Sequence, residues 1–401
     1  MKQKIFYPYL ILAACFLLMA FPFSIINSIH SLFITPVTQE FGFSKTSFSF
    51  LFTISALTVA ICSPIVGKLL NKFPLRIVMS VCSVFAGGGF LSYSFCSKIT
   101  SFYLIAILVS IGLTGLTTIP VSMMLTQWFP KKKGTALGIA FAGIGFGTLF
   151  FMQIVSRLIQ SKGYSFAYLL LGGLILLVTL PISLCIVRLP EPVGAEHITT
   201  KAKTDYKKGL PWNRIFLCFL AALFFLGMTT SGIKVHVQHY LDVVGYNTIH
   251  NANIGSLQAF VSVGSNLIAG KFFDKLGIRR AVLFYGTLNI LSVLCLVFVR
   301  IPIVPFLYAF FFGLALSLPG LLPSYGVTTI FPNHEYATTL GFANSIFTIG
   351  SSFGPTVTGI FADHSLGYTG AWIFYAGLAV CYMFLLLSML NLTPTRQDSA
   401  S

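Results

Sequence analysis

The stretch Gly270-Lys-Phe-Phe-Asp-Lys-Leu-Gly-Ile-Arg-Arg280 decides the fold, because it lies between two long apolar runs and is repeated earlier in the chain. The earlier copy, Gly67-Lys-Leu-Leu-Asn-Lys-Phe-Pro-Leu-Arg76, also separates two apolar runs. The two copies begin 203 residues apart in a chain of 401 residues. A charged loop that recurs at the same place in two hydrophobic halves indicates a duplicated membrane protein.

The composition also places the chain in a membrane. Hydrophobic residues make up 56% of it and charged residues 8%, whereas a soluble domain has about 25% charged residues. Such a chain cannot cover a water-facing surface, so we expect it in a lipid bilayer. Its eight cysteines lie in apolar runs without CxxC spacing, so neither disulfides nor a metal site is predicted.

Twelve apolar segments predict an all-α membrane protein with twelve transmembrane helices. Each segment is close to the roughly 20 residues that a helix needs to cross a bilayer. Helices are favoured over β-barrel strands because the runs are this long and lipid offers backbone groups no water. The predicted helices are 6–33, 47–70, 76–97, 101–127, 135–160, 165–188, 213–240, 250–272, 279–299, 303–330, 337–361 and 368–391.

A basic stretch with prolines and no apolar periodicity separates the sixth predicted helix from the seventh. It predicts three regions along the chain. These are an N-terminal six-helix bundle over residues 1–188, a cytoplasmic linker over 189–212 and a C-terminal six-helix bundle over 213–401.

Two further landmarks repeat at the spacing of the charged loops. Gly42 and Gly245 are 203 residues apart, and so are Gly138 and Gly341. Helices 1 and 7, 4 and 10, and 5 and 11 are therefore expected to be equivalents. The fold class predicted is two pseudo-symmetric six-helix bundles.

Positive charge is concentrated in the predicted loops of one side. With the N-terminus inside, 19 of the 25 lysines and arginines lie at cytoplasmic helix ends and loops. This bias predicts a multi-pass protein of the cell membrane with both termini in the cytoplasm. Topology thus explains the net charge of +16, so a nucleic-acid partner is not predicted.

The repeated loop resembles the signature of the major facilitator superfamily, Gly-x-x-x-Asp-x-x-Gly-x-Arg-Arg, which lies between helices 2 and 3 and again between helices 8 and 9. In the first copy Asn71 replaces the acid and Pro74 the second glycine, while Gly67 and Arg76 remain. The second copy is intact, with Gly270, Asp274, Gly277, Arg279 and Arg280. Residues 34–44 and 128–143 are similar to the monocarboxylate transporter and oxalate/formate antiporter group.

This resemblance implies a secondary active transporter that works by alternating access, with helices 1, 4, 7 and 10 lining its cavity. The substrate expected is a small organic solute, such as a monocarboxylate or a related organic anion, moved with a coupling proton or against a counter-substrate. A monomer in the lipid bilayer is expected. No cofactor and no enzymatic activity are expected.

One departure from that group concerns the basic residue that it often carries deep in helix 8 or 11. Helix 8, from Asn251 to Gly270, has no lysine or arginine before its end, and helix 11 has no lysine. A carboxylate substrate therefore needs a cation from another helix.

Lys234 in helix 7 is the best candidate for that cation. Its positional equivalent, one residue off, is His30 in helix 1. Thr230 lies four residues before Lys234 and Asn27 three residues before His30, so each pair is expected to share a helix face. Two interpretations stay open: the residues hold an anionic substrate, or their side chains reach the outer headgroups.

Three more polar residues are candidate substrate contacts. Gln258 in helix 8 and Asn344 in helix 11 either bind substrate or hydrogen-bond between helices. Tyr325 closes the stretch 317–325 of helix 10, in which two prolines and a glycine predict a bend or break. Helix 4 has a weaker counterpart with two glycines and Pro120. Interrupted segments at corresponding places point to the binding region.

Other functions remain as alternatives. The 41 phenylalanines are compatible with an exporter of amphipathic drugs or metabolites. A receptor that moves nothing is a minor alternative. A membrane enzyme is not favoured, because the scattered histidines form no nucleophile–base or metal arrangement. None of the nine acids is predicted at mid-membrane, so coupling runs through a histidine, the substrate's charge or exchange, or does not exist.

The repeated loops are also predicted to gate the cytoplasmic side. Asp274 is expected to pair with Arg279 or Arg280, or with a neighbouring helix N-terminus, and to hold that side closed. Because the first copy lacks the acid at Asn71, we expect the second loop to dominate. The alternative is that both loops only anchor the topology.

Overall fold

The computed structural model describes residues 2–190, 209–332, 334–364 and 367–392. Nine helical stretches of this described chain are long and apolar enough to cross a membrane. Two of the nine are pairs of helices joined at a kinked glycine, and Tyr336–Asp363 is a further helix of 28 residues. Twelve spans result, as the sequence predicts. Most of the predicted linker lies outside the described residues.

The twelve helices are named here in chain order. They are α1 (Tyr7–Phe41), α2 (Lys45–Lys72), α3 (Leu75–Phe95), α4 (Ile99–Trp128), α5 (133–162), α6 (164–186), α7 (Arg214–Val244), α8 (248–276), α9 (278–297), α10 (Val304–Ile330), α11 (Tyr336–Asp363) and α12 (Gly367–Leu392).

Glycines with positive φ make turns in both halves, and Gly42 and Gly245 do so at matching places. Gly163 (φ 83°) joins α5 to α6, and Gly277 (φ 76°) joins α8 to α9. Gly42 (φ 67°) and Gly245 (φ 105°) end α1 and α7 in the left-handed conformation. Only glycine adopts this conformation without steric cost. Gly163 (ψ 164°) and Gly277 (ψ 169°) instead combine a positive φ with an extended ψ, a region that essentially only glycine occupies. This explains why the intact signature has its second glycine at Gly277.

The first copy of the signature turns without a glycine. Phe73 (φ −113°, ψ 154°) and Pro74 (φ −56°, ψ 127°) are both extended between α2 and α3. Proline is suited to this φ, so the exchange of glycine for Pro74 keeps the connection and changes its geometry.

The predicted interruptions of α4 and α10 are present. In α4, Thr117 leaves helical geometry (φ −110°, ψ −109°). In α10, the helix breaks at Leu316. Ser265 of α8 donates a hydrogen bond to the Leu314 carbonyl at 2.8 Å, and Ser317 donates one to Ser265 Oγ at 2.7 Å. The Ser265 hydroxyl thus satisfies a backbone carbonyl next to the break, and Ser317 holds that hydroxyl in place.

The chain forms two compact units. The first comprises residues up to Leu210 together with Phe331–Phe342, and the second comprises Pro211–Ile330 and residues from Ala343 onward. The start of α11 thus groups with the first unit, although the sequence places it in the second bundle.

Small residues let helices pack closely in the same way within each unit. In the first unit, α5 packs against α1 where Gly147 faces the Ala20 carbonyl. In the second unit, α11 packs against α7 where Gly350 faces the Phe224 carbonyl. A Cβ at either glycine would overlap that carbonyl. Close approach at small residues is how membrane helices gain packing energy.

Candidate functional site

One exposed stripe of α7 carries polar side chains at helical spacing. Lys234 and Gln238 are exposed, and Ser231 is half-buried three residues before Lys234. The opposite face carries Thr229 and Ile233, which are fully buried. Within the described part of the chain, the Lys234 ammonium makes no hydrogen bond or ion pair. An unpartnered cation on such a stripe is a candidate site for an anion.

The depth of Lys234 along α7 limits where its charge can lie. The helix has 31 residues, so it is about 46 Å long, against a hydrocarbon core of about 30 Å. Lys234 lies ten residues before Val244, or roughly 15 Å from that end. If α7 is centred in the core, the Lys234 backbone lies about 7 Å inside the core. An ammonium at that depth needs water or an anion.

A matching stripe runs along α1. Asn27, Ser31 and Thr35 are exposed and follow one another at four-residue intervals. Ser31 is 203 residues before Lys234, which is the offset of the glycine landmarks. Ser31 is therefore the positional equivalent of Lys234. Sequence reasoning missed Ser31, Thr35 and Gln238, although this offset and the i, i+4 spacing would have indicated them.

His30 does not lie on that stripe. Its side chain is 3% exposed, its Nε2 lies 3.0 Å from the Tyr168 hydroxyl, and Phe90 and Tyr93 pack around its ring. The expectation that His30 shares a face with Asn27 is therefore wrong. Residues 19–29 of α1 are π-helical, and a wider turn does not return to the same face after three residues.

The remaining sequence candidates are engaged to different degrees. Thr230 is buried and donates to the Leu226 carbonyl at 2.7 Å, so its hydroxyl is used within α7. Gln258 accepts a hydrogen bond from the Tyr308 hydroxyl at 3.3 Å, which links α8 to α10. Asn344 is half-buried, and its side chain makes no hydrogen bond to any other described residue. Of these three, Asn344 has the greatest capacity to bind a ligand.

Tyr325 of α10 contacts the end of α8 beside the intact signature. Its side chain is 7% exposed, and its hydroxyl donates to the Phe273 carbonyl at 3.0 Å. Phe273 directly precedes the half-buried Asp274. Tyr325 thus fixes the end of α8 next to the acid of the intact signature.

The first signature copy holds α2 against the start of α11 within the first unit. Asn71 Nδ2 donates to Thr338 Oγ1 at 2.8 Å and to Glu335 Oε2 at 3.2 Å. A Cβ on Gly67 would lie 3.0 Å from the Thr338 Cα and would overlap the Ala337 carbonyl. The signature has an acid at position 71, where this chain has Asn71. A carboxylate is nevertheless present beside that position, because Glu335 accepts a hydrogen bond from Asn71. Sequence reasoning missed this partner, which is 264 residues away.

The basic residues of the two loops differ in their contacts. Arg76 Nε donates to the Val187 carbonyl at 2.7 Å, which caps the end of α6. Cations favour the carbonyl end of a helix. Arg279 and Arg280 are exposed, whereas Gly270 is buried at the end of α8. Arg76 therefore has an anchoring contact within the first unit.

Comparison with known proteins identifies the family and two groups of relatives. The family model described as Major Facilitator Superfamily matches residues 14–327. The chain is 23% identical to monocarboxylate transporter 4 of Gallus gallus, over 95% of this chain and 82% of that one. It is 26% identical to the oxalate:formate antiporter of Oxalobacter formigenes, over 45% of this chain and 42% of that one.

A solved structure of the same fold is the proton:xylose symporter XylE bound to 6-bromo-6-deoxy-D-glucose. It superimposes with a TM-score of 0.72, at 13% identity, over 98% of this chain and 97% of that one. At this identity the likeness shows the fold alone. It confirms the predicted architecture of two six-helix bundles.

Proposed function

Because this chain belongs to the major facilitator superfamily, a family of transporters, we propose that it is a secondary active transporter of a small organic anion such as a monocarboxylate. The relatives named for monocarboxylates and for oxalate and formate support this substrate class. The charge bias of the loops supports a place in the cell membrane with both termini in the cytoplasm.

Lys234 carries the proposal. It is a membrane-embedded ammonium without a partner in the described chain, and a carboxylate is the substrate group that would complete it. Ser231 and Gln238 lie on the same stripe of α7. Their side chains can donate hydrogen bonds to the carboxylate oxygen that the ammonium does not contact. This cation stands in for the basic residue that helices 8 and 11 lack. Charge-assisted hydrogen bonds of this kind contribute about 1.5–3 kcal/mol.

Exchange of one anion for another is the coupling that we favour. His30 is enclosed by aromatic rings, and His236 Nε2 lies 3.0 Å from the Pro355 carbonyl, where it links α7 to α11. Both histidines therefore have structural contacts. Exchange needs neither of them to carry a proton across the membrane.

Uptake and exchange in proteoliposomes test this function. Labelled lactate, pyruvate, formate and oxalate are offered to wild type, Lys234→Arg, Lys234→Gln and the control Lys162→Gln, which removes an exposed lysine of the first unit. We expect flux of at least one anion, loss of that flux in Lys234→Gln, partial retention in Lys234→Arg and wild-type flux in the control.

Two outcomes would contradict the proposal. Absence of flux for every organic anion would reject the substrate class, and efflux of an amphipathic dye by the same vesicles would select the exporter. Anion flux that is equal in wild type and Lys234→Gln would keep the substrate class and remove Lys234 from the site.

A further inference from the structure

A cavity of about 780 Å³ opens in the second unit where four helices end or begin. It lies at the ends of α7, α9 and α11 and at the start of α12, and this is called the α7–α12 cavity below. Its volume falls in the range of pockets that bind small molecules, about 300–1,000 Å³. The polar and aromatic side chains that line it are His239, Tyr240, Arg300, Asp363, Tyr368 and Thr369.

Stacked aromatic rings form a rigid base for this cavity. The Tyr368 ring lies 5.1 Å from that of Tyr240 and stacks at 5.9 Å on Trp372, which is fully buried. The Tyr240 hydroxyl donates to the Leu296 carbonyl at 3.1 Å and so ties α7 to α9. Tyr240 and Tyr368 both line the cavity, so this packing fixes one of its walls.

The cavity presents two opposite charges that do not neutralise each other. Arg300 and Asp363 both line it and both are exposed. Across the described ranges of the chain, neither side chain makes an ion pair or a hydrogen bond. A ligand that brings an anion to Arg300 and a cation to Asp363 would satisfy both charges at once.

We propose that the α7–α12 cavity binds a zwitterionic phosphoester of the phosphoethanolamine type. The forked guanidinium of Arg300 matches a phosphate. The carboxylate of Asp363 and the hydroxyl of Thr369 are acceptors for a primary ammonium, which donates three hydrogen bonds, whereas a choline group donates none. The Tyr368 and Tyr240 rings supply apolar contact for the short carbon link.

Two sources can deliver this chemistry. The first is the headgroup of phosphatidylethanolamine, because the cavity lies where four spanning helices meet the polar boundary of the bilayer. The second is a free phosphoester from water. Neither source depends on the transport of organic anions, so this inference and the proposed function can fail separately.

Lipid retention measured on the full-length protein tests the lipid source. Nanodiscs hold equal parts of phosphatidylethanolamine, phosphatidylcholine and phosphatidylglycerol, and native mass spectrometry identifies the lipid kept after release. We expect one phosphatidylethanolamine to be retained in preference. Arg300→Gln and Asp363→Asn should each reduce the retention of this lipid about tenfold, because each variant loses one charge-assisted hydrogen bond. The control Arg157→Gln, which removes an exposed arginine of the first unit, should retain it.

Free O-phosphoethanolamine, added to delipidated protein in detergent, tests the soluble source by its effect on the melting temperature. A rise in wild type that is absent from Arg300→Gln supports the site with a soluble ligand. Lipid retention without such a rise supports the site with a lipid ligand. Absence of both effects overturns the proposal. Retention of phosphatidylcholine equal to that of phosphatidylethanolamine also overturns it, and so does phosphatidylethanolamine retention that Arg300→Gln and Asp363→Asn leave unchanged. Arg300→Lys keeps the positive charge and should therefore retain part of the binding. That residual binding would show that a substitution at this position still allows the protein to fold.

Discussion

The two halves of the chain share the same backbone arrangement, but different side chains fill two corresponding regions. These regions are the packing of α1 with α6 in the first half and of α7 with α12 in the second. Tyr168 and Trp372 each lie five residues after the glycine that begins the last helix of their half, and both are fully buried. Around Tyr168 the space is filled by His30 and other rings. Beside Trp372 it opens into a cavity with Arg300 and Asp363.

This difference shows that duplication preserved helix ends and packing glycines but left the side chains free to diverge. The first unit uses aromatic filling where the second has separate charges. The same division appears on the exposed stripes, since α1 has Ser31 where α7 has Lys234. At both places the second unit has charged side chains where the first has aromatic or neutral polar ones.

The largest expected effect tests this division on the two stripes. Lys234→Gln should lower anion transport about a hundredfold, because a carboxylate loses a charge-assisted bond of up to about 3 kcal/mol. Ser31→Ala, the equivalent change on α1, should change it less than about threefold, since one neutral hydrogen bond contributes about 1 kcal/mol or less. Initial rates in proteoliposomes measure both. Equal losses in the two variants would mean that both stripes contribute equally to anion transport.

The second effect concerns the first of the two loops that carry the signature. Asn71→Asp should lower the transport rate about tenfold, because it places a carboxylate beside Glu335, and close like charges cost about 1 kcal/mol or more. Glu335→Gln added to Asn71→Asp should restore it, since the new carboxylate then accepts from the amide.

Asn71→Ala is the matched control for that pair. It removes two hydrogen bonds without adding charge, so its effect should be smaller than that of Asn71→Asp and should not be rescued by Glu335→Gln. A double variant as impaired as Asn71→Asp alone would show that Glu335 is not the partner that matters.

The third effect concerns the turns inside the same loops. Gly277→Ala should destabilise the protein by about 1–3 kcal/mol, because alanine is strained at φ 76° and ψ 169°. Pro74→Ala should be close to neutral, since alanine also adopts φ −56° and ψ 127°. Unfolding in detergent followed by circular dichroism measures the difference. A neutral Gly277→Ala would mean that the α8–α9 turn relaxes.

Much of the fold follows from the sequence, since apolar runs, helix-breaking residues and paired glycines are local signals. The twelve helices, the break in α10 and the equivalence of Gly42 with Gly245 are of this kind. The site follows less well. The face on which His30 lies depends on a π-helical stretch that spacing does not reveal, and Asn71 bonds a residue 264 positions away.

The α7–α12 cavity shows the same limit in another form. It is assembled from the ends of four helices, and Arg300 and Asp363 are 63 positions apart in the sequence. In the sequence each is a single charge near a helix end, where charges are common. Only the fold brings them to one cavity, where neither makes an ion pair with another described residue.

The smallest expected effect is at His30. His30→Phe should leave the transport rate and its pH profile within about twofold of wild type, because the ring is buried among aromatic side chains and a somewhat larger aromatic ring replaces it there. Its hydrogen bond to Tyr168 contributes about 1 kcal/mol to stability. Rates measured across pH 5–8 and thermal unfolding in detergent check both effects. A changed pH profile would place His30 in the coupling step, and the first unit would then carry ion chemistry as well.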